Sequence, residues 1–296
     1  VNVPTRSLDV QAFTEKDHTD LLFGLENDVD YVALSFVRSA GDILKVKDVI
    51  SAKGKDTPVI AKIEKHEALT NIDEIISACE GIMVARGDLG VEIPLERVPE
   101  IQKKLVNKAN HAGKPVIIAT QMLRSMVEAP RPTRAEATDV ANAVLDGADA
   151  VMLSEETATG KYPVESLQYL MRFTTHTETI YPHSRYLEML PEKAVPESVS
   201  FASCILADHL DAGAIVATTR SGFTATKISR FRPRSKIIAL SPELISVRRL
   251  MLYWGCHPRL VQAPQDTDTL IEMAGHEALK TEAVKKGDLV VITSGH

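Results

Sequence analysis

Lys62 and Glu64 are separated by a single isoleucine. In an extended stretch side chains alternate, so this ammonium and this carboxylate point to the same side. Taken alone, the pair reads as a salt bridge and nothing more. Asp88, inside Arg86-Gly87-Asp88-Leu89-Gly90, adds a second carboxylate. Two carboxylates on neighbouring strands suit Mg²⁺ or Mn²⁺, which favour hard oxygen ligands and keep waters for substrate oxygens. Gly87 and Gly90 let the backbone approach a ligand closely, with N–H groups free to hold an anion. The plainer reading of that stretch is a glycine-rich turn. Thr120, in I-I-A-T-Q-M, offers a hydroxyl that can donate to a bound carboxylate or relay a proton, or else bond to backbone. Farther along, Thr219-Arg220-Ser221-Gly222-Phe223-Thr224 follows an apolar run and opens a helical one. Hydroxyls and N–H groups at a helix start suit an anion, and Arg220 adds charge. Ordinary N-capping by Ser221 or Thr224 is the alternative.

These groups need strands to carry them. Five short apolar, β-branched runs occur at 30–36, 57–64, 81–90, 114–121 and 149–156. Each central run is too short for a helix and lacks strict alternation, as a strand buried on both faces does. Helix-forming stretches lie between them at 15–27, 39–54, 71–80, 94–113 and 133–149, with Gly113 and Gly147 where C-caps belong. Ala129 to Glu136 reads as a stiff entry to the last of these, with Thr133 as N-cap and Glu136 at its third position. Met122 and Met126 read as core. Repeated strand–helix–strand units imply parallel strands with right-handed crossovers. In all five, polar or special residues end the strand: Ser35 and Phe36, Lys62 and Glu64, Arg86 and Asp88, Thr120 and Gln121, Ser154 and Glu156. Successive strands feeding one rim indicate a (β/α)8 TIM barrel; an open sheet concentrates its site at one switch point. Five units make a partial barrel, three short of closure.

A helix at 163–181 is followed by 182–198, with three prolines and no periodicity, which reads as a linker. Alternation then resumes: a helix near 197–210, strands at 214–219, 236–241, 259–263 and 288–295, and a final helix at 267–287. The expected division is therefore a partial barrel over 1–181, a linker over 182–198 and a smaller open-sheet α/β domain over 199–296. Composition agrees with a globular chain: 44% apolar, 25% charged, net charge −6 over 296 residues. The mild acidity, the lack of a basic block and a single Trp argue against a nucleic-acid surface. No apolar run suits a membrane helix, and the first residues carry no signal pattern. Cys79, Cys204 and Cys256 read as free thiols of a reducing cytoplasm, and the histidines as structural or surface residues. Walker, dinucleotide and G-x-S-x-G signatures are all missing.

Seven stretches carry a family resemblance: S-F-V-R (35–38), A-K-I-E (61–64), the block 81–93, A-G-K-P-V-I-I-A-T-Q-M-L (112–123), P-R-P-T-R-A-E (130–136), the block 139–149 and M-L-S-x-E-T-A-x-G-x-Y-P (152–163). In this order they resemble the pyruvate kinases, over essentially the whole chain. The resemblance implies glycolytic phosphoryl transfer from phosphoenolpyruvate to ADP, giving pyruvate and ATP. It implies Mg²⁺ or Mn²⁺ on Glu64 and Asp88. Lys62 would stabilise the phosphoryl group and the enolate. The N–H groups of Gly87 and Asp88, with the Thr120 hydroxyl, would hold the substrate carboxylate, and Thr120 or a nearby water would help protonate the enolate. Ser35, Arg38, Ser154 and Glu156 would line the nucleotide side. The second domain resembles the regulatory one, and Thr219, Arg220, Ser221, Gly222 and Thr224 match a loop for the phosphate of a sugar or nucleotide effector. K⁺ is implied too, with ligands in units this chain lacks, as is a homotetramer. V-N-V-P (1–4) resembles the point where the family's chain re-enters the barrel after its lid domain. That opening, the start at Val1 and the end at T-S-G-H predict a fragment, inactive alone. Glu155 stands where the family usually has Gly. A catalytically silent phosphometabolite-binding or assembly module is the alternative. Another metal-dependent enolate enzyme is a third reading, disfavoured by the block 81–93.

Overall fold

A computed structural model describes residues 13–187 and 189–294. The readings at Val1 to Pro4 and at the last two residues lie outside them. The chain forms two compact units, Val1–Tyr181 and Pro182–His296.

In the first unit β1 (Val32–Leu34), β2 (Val59–Ile63), β3 (Gly81–Ala85), β4 (Val116–Ala119) and β5 (Ala150–Met152) are parallel and lie side by side in chain order. A doubly wound sheet would double back; an unbroken order is the wall of a barrel. Helices Ala40–Ala52, Ile72–Ala78, Val98–His111 and Arg134–Asp146 cover it. Ile43, Val46, Ile75, Leu105, Val106 and Val140 pack there with Val59, Ile63, Ile82, Val84 and Ile118. Among the described residues β1 and β5 each pair on one side only.

Several boundaries differ from expectation in this unit. The R-G-D-L-G stretch is a short helix, Arg86–Glu92, rather than a turn. The segment expected at 94–113 opens with a 3₁₀ turn, Leu95–Arg97, and becomes α-helical at Val98, where Pro99 suits a first turn. A short helix, His66–Thr70, precedes the one expected at 71–80. The entry at Thr133 is as expected: its hydroxyl accepts the Glu136 N–H, and the Glu136 carboxylate accepts the Thr133 N–H, a complete capping box.

In the second unit β6 (Ala214–Thr218), β7 (Lys236–Ser241), β8 (Cys256–Leu260) and β9 (Val290–Ser294) are parallel in the order β8-β7-β6-β9. Both faces are buried. Ile215 and Ala217 pack with Cys204, Ala207, Ile228 and Phe231; Ala214 and Val216 pack with Ala274, Ala278 and Val284. β8 lies earlier than the expected 259–263, because the turn at Gly255 (φ 65°) sets its register on Ile237. The last helix stops at Lys280, not near 287; Glu282 turns left-handed and Val284 folds back onto Gly213, where a Cβ would lie 2.6 Å from it. The stretch 182–198 is not a bare linker. It carries a one-turn helix, Ser184–Leu187, and the start of Val195–His209, and His183 Nδ1 lies 2.8 Å from the Arg232 carbonyl. No helix among the described residues is long and apolar enough to cross a membrane.

Candidate active site

The rim of the first sheet gathers its groups at the strand C-termini. At the end of β2, Glu64 is 1% exposed. Its Oε1 lies 2.7 Å from Lys62 Nζ, and its Oε2 accepts the Phe36 N–H at 2.7 Å. A carboxylate this deep must be paired. Lys62 Nζ also donates to Ser35 Oγ at 2.8 Å, so β1 and β2 meet through the ammonium. The salt bridge and the pair singled out by the family resemblance are thus the same two groups. Phe36 holds left-handed backbone, φ 55°, which aims its N–H at Glu64.

Ile63 pairs with Val84, so the ends of β2 and β3 are adjacent. Asp88 sits in the first turn of the helix that follows β3. A buried carboxylate compensated by one ammonium, with a second carboxylate on the next strand's exit, is a donor set that fits a hard divalent cation.

Arg86 and Gly87 face the end of β4. The Gly87 N–H is not free, as expected from sequence, but donates to Thr120 Oγ1 at 2.7 Å. A Cβ on Gly87 would stand 3.4 Å from that oxygen. The Arg86 guanidinium reaches the Thr120 carbonyl at 2.9 Å and Asp139 Oδ1 at 2.6 Å. Thr120 and Gln121 are both left-handed, φ 72° and 56°. Non-glycine residues in that region cost roughly 1–3 kcal/mol each and cluster at functional sites.

At the end of β5, Glu156 is buried and accepts the Leu123 N–H at 3.0 Å and the Ser154 N–H at 2.8 Å. It therefore shapes the rim backbone, and Ser154 is placed through it. Glu155 opens the helix Glu155–Ala158 without positive φ, and its carboxylate lies 3.0 Å from Arg124 Nε. Glutamate fits there because the backbone does not require glycine. Gly160 is required: a Cβ would fall 2.5 Å from the Glu156 carbonyl. Arg38 turns to Asp42, with N–H to Oδ2 at 3.0 Å and Nε at 3.6 Å.

Sequence reasoning missed one cluster beside the rim. Donor atoms of His66, Glu67 and Glu92 lie within 4.8 Å of one another. His66 Nδ1 is 3.2 Å from both carboxylates, and Lys65 Nζ is 2.6 Å from Glu92. Burial pushes the Glu92 carboxyl up, but Lys65 and His66 together outweigh it and hold it below the usual range. The adjacent ammonium makes this an ion-pair network. Only the neighbouring Lys65-His66-Glu67 hinted at it.

In the second unit the chain turns both ways from β6, to β7 on one side and β9 on the other. Open sheets bind ligands at such a switch point. A crevice of about 400 Å³ lies there, lined by Thr219, Arg220, Ser221, Thr224 and Thr293 with Val199 and Phe223. Neither Ser221 nor Thr224 caps the helix Phe223–Ser229; Gly222 (φ 87°) is the N-cap, and Thr219 Oγ1 accepts its N–H at 3.0 Å. Arg220 Nε is 3.0 Å from Glu243 Oε1.

Comparison with known proteins matches this chain to two family models. That for the pyruvate kinase barrel domain covers residues 1–167, and that for the pyruvate kinase alpha/beta domain covers 197–296. Pyruvate kinase 2 of Synechocystis sp. is 48% identical over 295 residues, which is 100% of this chain and 50% of the relative. The pyruvate kinases of Geobacillus stearothermophilus and Clostridium acetobutylicum are 46% and 44% identical, each over the whole chain and over 51% and 63% of their own lengths. The chain thus spans about half the length of the curated relatives it matches.

Proposed function

Because this chain belongs to the pyruvate kinase family, we propose that it supplies catalytic residues for phosphoryl transfer between phosphoenolpyruvate and ADP. The observation that carries the reading is Glu64, buried at a strand end between the Lys62 ammonium and the Phe36 amide, beside the Gly87–Thr120 contact. Glu64 and Asp88 would hold Mg²⁺ or Mn²⁺. When bound, the cation supplies positive charge for the phosphoryl and enolate oxygens. The bond from phosphorus to the enol oxygen breaks as a β-phosphate oxygen of ADP bonds to phosphorus. Lys62 neutralises charge on the moving group and on the enolate left behind; such transfer needs positioning and charge more than covalent help. The Thr120 hydroxyl, whose oxygen already accepts the Gly87 N–H, donates its proton to the substrate carboxylate, and the Asp88 N–H, with the Gly87 N–H once it turns from Thr120, completes the seat. The enolate then takes a proton at its methylene carbon, from the Thr120 hydroxyl or a water it holds. Ser35, Arg38 and Ser154 face the nucleotide, Ser154 held by Glu156. The family resemblance supports a cytoplasmic homotetramer as the working form.

The test is ATP formation from phosphoenolpyruvate, ADP and Mg²⁺. It is run on the 296-residue chain and on the chain joined to the segment of the Synechocystis relative that precedes the part matching it. Among the described residues β1 and β5 each pair on one side only, which supports an inactive chain alone and an active joined protein. Lys62→Met should abolish that turnover. A folded joined protein with no turnover would overturn the reading. In that event the crevice at the β6–β9 switch point favours a silent module that binds a phosphorylated sugar or nucleotide. Calorimetric titration of sugar phosphates, with and without Ser221→Asp, checks it; heat of binding that Ser221→Asp removes is the expected result.

A further inference from the structure

Two consecutive left-handed residues close the end of β4: Thr120 at φ 72° and Gln121 at φ 56°. Neither is glycine or asparagine, and Thr120 is β-branched, so the loop would not choose this conformation by itself. A side chain from the neighbouring strand's exit holds it. Arg86 Nη2 donates to the Thr120 carbonyl at 2.9 Å and lies 2.9 Å from Met122 Sδ, so it brackets the strained pair. Nη1 is fixed by Asp139 Oδ1 at 2.6 Å on the helix Arg134–Asp146, with Gln102 Oε1 at 3.4 Å. The Arg86 side chain is 11% exposed. Turned this way, Thr120 presents Oγ1 to the N–H of Gly87, the residue next to Arg86. One residue therefore places both halves of the contact, one through its backbone and the other through its side chain.

We propose that Arg86 is a positioning residue: its planar fork holds the strained Thr120–Gln121 backbone so that the Thr120 hydroxyl and the Gly87 amide meet. Its catalytic meaning rests on the proposed function, in which that contact is the substrate's carboxylate seat; the geometry does not. A lysine can keep the charge for Asp139 but cannot reach Asp139 and the Thr120 carbonyl together. A purely structural ion pair makes a different demand, since then Asp139 matters as much as Arg86.

The experiment reads amide hydrogen exchange at Gly87 in the 296-residue chain by NMR. Arg86→Lys should speed it about tenfold, as losing one hydrogen bond does. Asp139→Asn keeps an Oδ1 that accepts from Nη1, so it should change the exchange by less than about twofold. Adding Gln121→Gly to Arg86→Lys should restore most of the protection, because glycine adopts positive φ without strain. Thermal midpoints show that each variant is folded, and Arg86→Gln substitutes if Arg86→Lys is not. Unchanged exchange in the Arg86 variant, an equal rise in Asp139→Asn, or no rescue by Gln121→Gly would each overturn the proposal. In the joined protein, Arg86→Lys should lower kcat while KM for ADP stays put. An unaffected kcat despite faster exchange would overturn the catalytic half. Exchange that moves as expected in a joined protein without turnover sinks the proposed function and leaves the positioning role standing.

Discussion

Lys62 holds the charge of Glu64 in the place a divalent cation would share. Removing the ammonium leaves a buried carboxylate with one amide and no cation. Mn²⁺ should then bind Lys62→Met at least as tightly as the parent chain, while Glu64→Gln should lose most of its affinity. Electron paramagnetic resonance of free and bound Mn²⁺ measures both. Weaker binding by Lys62→Met would mean that the ammonium builds the metal site instead of standing in it. The side chains of this site were legible in the sequence because residue type and strand-end position are both visible there. The backbone was not. Phe36, Thr120 and Gln121 take positive φ without being glycine, so composition gave no signal. Arg86 was visible as a charge, but its grip on Thr120 spans 34 residues of chain.

Among the elements, the rim depends on short, locally determined pieces. Glu136 closes the capping box with Thr133 and also accepts from Ser125 N–H at 2.7 Å and Oγ at 2.6 Å. Burial pushes its carboxyl up, yet the bonds from Ser125 and Thr133 outweigh that and hold it below the usual value. A carboxyl lowered in the fold contributes stability above its unfolded pKa and loses it as pH falls through the folded one. The gap in thermal midpoint between the parent chain and Glu136→Gln should therefore be full at neutral pH and shrink below about 4.5, the ordinary value. A gap that widens in acid would refute this assignment. Gly160→Ala should destabilise the first unit by about 1–3 kcal/mol, since the new methyl meets the Glu156 carbonyl. Denaturant unfolding reads that loss. Strand order and helix placement followed from hydrophobic patterning, and Thr133 with Glu136 announced a helix start. The helix Arg86–Glu92 did not show, because Gly87 and Gly90 are poor helix formers and the position after β3 decides instead. Likewise β8 was misplaced because the turn at Gly255, not the apolar residues after it, fixes its register.

At the scale of the molecule, the two units have separate cores. Residues 182–296 expressed alone should give a single cooperative melt, measured by circular dichroism; a non-cooperative trace would show that the second sheet needs the first unit. The strand orders also differ in what they ask of synthesis. In the first sheet each strand's neighbour is the next one made, so pairing advances as the chain emerges. In the second, β6 waits for β9: Thr218 and Ser294, which share a hydrogen bond, lie 76 residues apart. Non-local pairing is slow, and an unpaired edge is prone to association meanwhile. A ribosome paused before Val290 would thus hold a first unit with all its strands made and a second whose β6 has β7 on one side and nothing yet on the other.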